Sequence, residues 1–391
     1  MKLYFISNIL PMEVIHKMNR SVAGAQFQVS LAKALYSVPT VDLELLSIVR
    51  QGNRESKEMC NRVVFDEKQH DTIVHINKPF VEEFFAAVQV FLKGLLWSLK
   101  NKKSERNVLI MNAPNEVITP MLLLQKLGFC NVFSFLIDSP FIKTGSKSLY
   151  LKWRKKDYEK GLKKLNKCKG VILLNNNVVK ILDLENPTKT VLLGFENSSC
   201  NFDENHYTGI SNRKKRLMYA GTLSYVNGIK EMLDAISLLD ETEYQVDICG
   251  YGPEEQQVKN FCEKQKNCIY HGRVSNEELD SLYDKADLLL NIRLTDDEVN
   301  DFSFPSKLIG YMYSGTAVVS SDFSSLPDSY RDFLYITPDI DPECIAETIK
   351  NVFLQDEAEL KERVKSARAF VETNQNWMTV GKSIIDFIES N

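Results

Sequence analysis

The sequence predicts an α/β protein of two doubly wound, Rossmann-like domains, and three observations carry that prediction. The chain has 391 residues, 44% of them hydrophobic, which is more than one ordinary domain needs and enough to bury a core in each of two. Short apolar runs alternate with longer segments of helical spacing along the whole length, the pattern of parallel sheets covered on both faces. Between the halves lies Phe195–Arg216, rich in Asn, Ser, Asp and Gly and without periodicity, the composition of a linker. The expected division is residues 1–195, a linker at 196–215 and a second domain at 216–374, with a last helix at 375–391 that can pack on its own domain or rejoin the first.

In the first half Leu3–Ile6 reads as the opening strand and Phe27–Leu35 as a helix entered through Gly24. A glycine at a helix start lets a ligand approach the backbone closely, but it also suits a plain helix entry. Further strands are expected at Leu43–Ile48, Thr72–Ile76, Val108–Met111, Asn131–Ile137, Gly170–Leu174 and Thr190–Leu193, with a helix at Val117–Leu127. Ligand sites of such sheets lie beyond the carboxyl ends of strands, which makes Asp138 a cleft residue if its strand is central. It is equally a good turn or cap residue. His16, on a loop after the first strand, reads as a surface histidine.

In the second half the strand Arg216–Ala220 runs into Gly221-Thr222-Leu223-Ser224-Tyr225-Val226-Asn227-Gly228 and a helix at Ile229–Leu239. Tyr244–Cys249 is the next strand, followed by Gly250-Tyr251-Gly252 and a helix at Glu254–Lys264, then a short strand and turn ending near Val274. Ser275 with Glu278 forms a capping box for the helix Glu277–Lys285. Asp287–Asp322 is the most informative stretch. A buried strand (Leu288–Leu290) leads to Arg293, then to a polar loop with Asp296, Asp297 and Glu298, then to Ser303-Phe304-Pro305-Ser306-Lys307. Pro305 suits a first helical turn and Ser303 or Ser306 a cap. The helix closes at Gly315, before a second buried strand. A helix start with Lys307 and serines is a ready phosphate site, and Arg293 can reach the same anion. Pro342–Leu354, Glu357–Glu372 and Trp377–Ile388 are amphipathic helices.

Other classes of protein are disfavoured. A net charge of −4 argues against a nucleic-acid binder. The eight cysteines show no C-x-x-C spacing and read as reduced thiols of a cytosolic protein. The N-terminus has no signal-peptide layout, and no apolar run reaches the roughly 18 to 20 residues of a spanning helix. Two segments could nevertheless touch a membrane. Phe80–Leu99 is a long apolar helix, readable as core or as a lipid contact, and residues 143–169 are dense in lysine and arginine, which suits anionic lipid.

The pattern N-x-R, loop, S-F-P-S-K-L-x-x-Y-M-x-S-G-x-x-V-V, spanning Asn291 to Val319, resembles the nucleotide-sugar site of retaining family 4 glycosyltransferases of the GT-B fold, in a branch common in bacterial surface-polysaccharide clusters. That resemblance implies two Rossmann-like domains facing a cleft, a last helix that rejoins the first of them, and transfer of a sugar from a nucleotide donor to a lipid-linked or growing surface glycan, with retention. It implies Asp138, Arg293 and Lys307 as catalytic residues, with Asp138 or His16 positioning the acceptor hydroxyl. Donor-binding residues would be Gly24, Gly221, Thr222, Tyr251, Glu298, Ser303, Ser306 and Lys307, with the backbone around Val274 reading the nucleobase. No cofactor or metal is expected, since no D-x-D motif sits at a strand end and fixed cations can stabilise the leaving diphosphate. Expected partners are a nucleotide sugar, a glycan or lipid-linked acceptor, an anionic membrane surface met by residues 143–169, and other glycosyltransferases, with no nucleic acid. The expected location is cytoplasmic, at the inner membrane face. The chain departs from the family where an arginine, a lysine and two acidic residues are usual, having Thr222, Asn227, Phe302 and Gly310. A degenerate partner protein that binds without transferring is therefore the rival reading, and a nucleotide-sugar epimerase a distant third.

Overall fold

The computed structural model describes residues 1–9, 22–49, 64–65, 68–69, 71–74, 81–137, 148–195, 202–203, 205–295, 302 and 306–391. They divide into two compact units, Met1–Gly194 with Trp377–Asn391, and Phe195–Asn376.

The first unit contains β1 (Lys2–Ser7), α1 (Val22–Tyr36), β2 (Asp42–Val49), β3 (Val64–Phe65), β4 (Lys68–Gln69), β5 (Asp71–Val74), α2 (Val81–Lys100), β6 (Arg106–Met111), α3 (Asn115–Lys126), β7 (Asn131–Leu136), α4 (Leu149–Leu162), β8 (Gly170–Leu173), α5 (Asn177–Ile181) and β9 (Thr188–Thr190). Seven strands form one sheet in the order β5-β2-β1-β6-β7-β8-β9, every pairing parallel. Side chains alternate across it. Leu3, Phe5, Leu109 and Phe133 pack with Leu31 and Leu35 of α1 on one face. On the other, Tyr4 stacks on Trp97 of α2 with ring centroids 5.1 Å apart. The chain's last helix returns to this unit: Phe27 meets Trp377 edge-on at 5.4 Å, and Ile384, Ile385 and Ile388 join its core.

The second unit contains β10 (Lys215–Ala220), α6 (Ile229–Ser237), β11 (Tyr244–Cys249), α7 (Glu255–Lys264), β12 (Cys268–Gly272), α8 (Asn276–Tyr283), β13 (Leu288–Asn291), α9 (Lys307–Ser314), β14 (Ala317–Ser321), β15 (Tyr335–Thr337), α10 (Pro342–Val352) and α11 (Glu357–Asn374); α12 (Trp377–Ser390) is the helix that rejoins the first unit. Its six strands lie in the order β12-β11-β10-β13-β14-β15, all parallel. Counted within the unit this is 3-2-1-4-5-6, the doubly wound order whose ligand crevice opens where the winding reverses, between β10 and β13. The first unit repeats that order and adds one strand.

Residues 205–213, expected as linker, belong to the second unit. Tyr207 and Ile210 are buried in its core, and Arg213 grips Asp287 through two N–H···O bonds of 2.8 and 2.6 Å. Burial alone would push the Asp287 carboxyl up, but hydrogen bonds from His206, Arg213 and the Arg216 N–H outweigh it and hold the group below the usual range. Cysteine use also differs from expectation: Cys262 and Cys268 are paired as a disulfide, while Cys130, Cys168, Cys249 and Cys344 are thiols. The two lie six residues apart, at the end of α7 and the start of β12, where the turn brings their Cα atoms to 4.8 Å, within disulfide reach. A cysteine count without C-x-x-C spacing could not show that turn.

Candidate functional site

The crevice position dictated by the winding is where the predicted cations meet. β13 delivers Arg293, whose main chain is clipped to the next strand: its N–H donates to Ser321 Oγ, and the Ser321 hydroxyl donates to its C=O, both at 2.8 Å. The guanidinium lies over the Phe323 ring, 5.4 Å from the centroid. Burial pushes its pKa down to about 10, the nearby Tyr219 opposing the shift, so it stays charged at neutral pH.

Lys307 opens α9. The residue is partly exposed, but its Nζ is not, and among the described residues Nζ has no hydrogen-bond partner. Nζ sits 4.2 Å from the centroid of the Tyr219 ring. Burial first, and the charge of Arg293 second, hold its pKa well below the ordinary lysine value. An ammonium taken out of water without a counter-ion is unfavourable by several kcal/mol, and a ring face returns about 2 of them. The arrangement therefore favours an incoming anion.

The loop after β10 completes this side. Tyr219 donates from its hydroxyl to Thr222 O at 2.9 Å. Tyr311, on α9, clips the end of β10 twice: its hydroxyl accepts from Ala220 N at 2.8 Å and donates to Ala220 O at 2.9 Å. A Cβ on Gly221 would lie 3.5 Å from Lys307 Cδ, so the glycine loop and the lysine stem are in contact distance. Asn227 donates through Nδ2 to Thr222 O and Ser224 Oγ, at 2.8 and 3.0 Å. Where a lysine charge was expected from the resemblance, this side chain ties the loop to itself.

Gly250-Tyr251-Gly252 has a packing role. A Cβ on Gly250, at φ +138°, would fall 1.8 Å from Gly221 O, and one on Gly252 2.2 Å from Leu223 O. Both glycines are needed so that the loops after β10 and β11 can lie backbone to backbone, joined by Gly221 N–H to Cys249 O at 3.1 Å and Leu223 N–H to Tyr251 O at 2.9 Å. Tyr251 is half exposed, and the Arg273 guanidinium stacks 3.4 Å from its ring centroid. Val274 lines an open groove of about 380 Å³ with His271, Glu277 and Glu278.

Of the predicted site residues, Arg293, Lys307, Gly221 and Thr222 are brought together, with Tyr251 on the adjoining loop. Ser306 stands at the N-cap with helical backbone and makes no side-chain cap bond, so its predicted capping role does not hold: a cap side chain accepts from the first turn only with extended backbone at that residue. Gly24 lies near the start of α1 in the first unit. Asp138, Glu298, Ser303, Pro305 and His16 lie outside the described residues, as do Asp296 and Asp297. Among the described residues no three His, Cys, Asp or Glu side chains converge as metal ligands.

Sequence reasoning missed Tyr219, Ser321 and Tyr311, which read as strand and helix interior and gain roles only through the pairing of β10, β13 and β14. In the first unit it missed Asn112, held at φ +58° at the carboxyl end of β6. Its Oδ1 accepts from Ile137 N at 2.9 Å, and its C=O accepts from Ser134 Oγ at 2.8 Å, so it ties the end of β6 to the end of β7.

Two doubly wound parallel-sheet units, with the last helix returned to the first, define the GT-B fold. Residues 202–376 match the family model of glycosyl transferases group 1. Over 181 residues the chain is 26% identical to the amylovoran biosynthesis glycosyltransferase AmsK of Erwinia amylovora, a match spanning 44% of each chain. Among solved structures it is similar to the apo form of the lipopolysaccharide outer core galactosyltransferase WaaB (TM-score 0.64, 14% identity, 100% of this chain and 99% of that one). It is also similar to HepE of Anabaena in complex with UDP (TM-score 0.62, 13% identity, 100% of each chain). At these identities the structural likeness speaks for the fold.

Proposed function

We propose that this protein transfers a sugar from a nucleoside-diphosphate sugar to a lipid-linked or growing surface glycan, with retention and without a metal ion. In this reading it works at the inner face of a membrane that it meets through residues 143–169. The observation that carries the donor reading is the pair of buried cations at the winding reversal, Lys307 without a counter-ion among the described residues and Arg293 beside it. As the bond between the anomeric carbon and the diphosphate oxygen breaks, negative charge grows on that oxygen. Lys307, Arg293 and the N-terminal end of α9 are placed to stabilise it. The acceptor hydroxyl bonds to the anomeric carbon, and its proton passes to the departing phosphate, so no separate base is required. Thr222 would bring its backbone amide to the phosphates, Gly221 would let them approach the main chain closely, and Tyr251 and Val274 would supply the nucleoside contacts. Asp138, Glu298 and Ser303 keep the roles expected of them: acceptor positioning, ribose and phosphate.

AmsK, named for amylovoran biosynthesis, and WaaB, named for the lipopolysaccharide outer core, support a surface-glycan acceptor by analogy, and HepE with UDP supports a nucleotide donor. One observation favours the second reading, a binding partner that does not transfer. Asn227 is engaged with its own loop and Gly310 offers no side chain, so two charges expected on the donor are missing. Incubation with a panel of nucleotide sugars and no added metal tests both. Slow release of free nucleotide is expected; binding without release supports the partner reading, and neither binding nor release overturns the donor site.

A further inference from the structure

We propose that the outward face of α2 is the apolar half of a docking surface for an anionic lipid bilayer. Phe84, Phe85, Val88, Leu92, Leu96 and Leu99 are 40 to 67% exposed, and at 100° per residue they fall within one arc of about 120° along a helix roughly 30 Å long. An exposed apolar strip of that length is more than a water-facing surface ordinarily carries. The helix cannot roll to hide it. Its other face is already committed, with Ala86, Val90 and Trp97 buried, Trp97 Nε1 donating to Glu44 at 3.0 Å, and a Cβ on Gly94 falling 2.4 Å from Met121 of α3.

Charge identifies the occupant. The two carboxylates of α2, Glu82 and Glu83, are turned inward and buried, where the Tyr150 hydroxyl bridges their Oε1 atoms at 2.5 and 2.8 Å. The exposed strip thus carries no negative charge. Tyr150 belongs to α4, so the same contact pins the start of a basic helix to the start of α2. On α4 the exposed positions Lys152, Lys156 and Lys160 recur at helical spacing, with Leu149 80% exposed at its start. Asp157 is engaged by Asn115 at 2.8 Å. An uncharged apolar strip anchored to a lysine face matches a bilayer of acyl chains under anionic headgroups. Among the described residues no helix is long and apolar enough to cross a membrane, so α2 would lie along the interface.

This inference rests on the membrane reading of residues 143–169 and adds the apolar contact to it. Flotation of the purified full chain with phosphatidylcholine vesicles, with and without phosphatidylglycerol, tests it beside two variants, F85S/L92S on the strip and K152E/K156E on α4. The wild type should float with the anionic vesicles, and F85S/L92S should bind at least tenfold more weakly while unfolding at the wild-type temperature. If F85S/L92S floats undiminished while K152E/K156E does not, the strip is no docking face and the basic segment alone binds. If the wild type floats with neither vesicle, both readings fall. If the wild type is a dimer that F85S/L92S makes monomeric, with vesicle binding unchanged, the face belongs to a second copy of the chain.

Discussion

Replacing Lys307 with methionine should stabilise the free protein and weaken its grip on a diphosphate, two effects of opposite sign from one side chain. Methionine keeps the length of the stem that passes Gly221 and removes the buried, unpartnered ammonium. The desolvation of that charge is unfavourable by several kcal/mol, while its contact with Tyr219 at 4.2 Å returns about 2 kcal/mol. The balance predicts a gain of roughly 1–3 kcal/mol for the variant, or a few degrees in the melting of the second unit. Because Lys307 has a lowered pKa in the fold, the folded state binds fewer protons than the unfolded chain between the two pKa values. Wild-type stability therefore falls as pH drops through that window, and the variant should lose that slope. A charge-assisted hydrogen bond to phosphate contributes roughly 1.5–3 kcal/mol, so binding of a nucleoside diphosphate should weaken by about ten- to 150-fold. Thermal unfolding at several pH values and calorimetric titration read the two effects. A variant that melts lower than the wild type and binds diphosphate as tightly would refute the reasoning.

Three further substitutions probe the frame of the site. Gly250→Ala forces a Cβ to within 1.8 Å of Gly221 O; separating the two loops should lower stability by roughly 2–4 kcal/mol, and a melting curve like the wild type's would show the loops free to part. Gly310→Glu places a Cβ where, among the described residues, Phe195 Cε2 lies near, at 3.9 Å. It should gain about 0.5–1 kcal/mol of helix stability and, since the resembled family usually holds the donor ribose with a glutamate here, tighten nucleotide binding, so weaker calorimetric binding would count against a donor site beside α9. Asp287→Asn breaks the buried pair with Arg213 and should lower stability by roughly 3–5 kcal/mol at pH 7. Since the Asp287 pKa is lowered in the fold, its contribution is complete above the unfolded value near 4 and lost as pH falls through the folded one. The variant and wild type should accordingly converge in acid, as denaturant unfolding at descending pH would record.

The two-unit α/β pattern was legible because short apolar runs and helical runs alternate cleanly, and the stretch from Leu288 to Ser321 was readable as strand, loop, helix and strand. Arg293 and Lys307 could be paired from sequence because one loop joins them. Tyr219 could not, since it comes from a strand far upstream and meets Lys307 only after β10 pairs with β13. The same limit hid the purpose of Gly250 and Gly252, whose neighbours lie on another loop. α4 escaped notice as a helix because its lysines leave too few apolar positions to show a period. α2 showed the opposite difficulty: apolar on both faces, it gives one pattern for core and for lipid contact. The three-residue strand β15 is too short to register in any window.

Calorimetric titration of the wild-type protein with a nucleoside, its monophosphate and its diphosphate, in the presence of EDTA, tests the cation pair most directly. Lys307 and Arg293 predict that affinity climbs with each phosphate. Equal affinities for all three, or none for the diphosphate, would contradict the assignment of these buried cations to a donor.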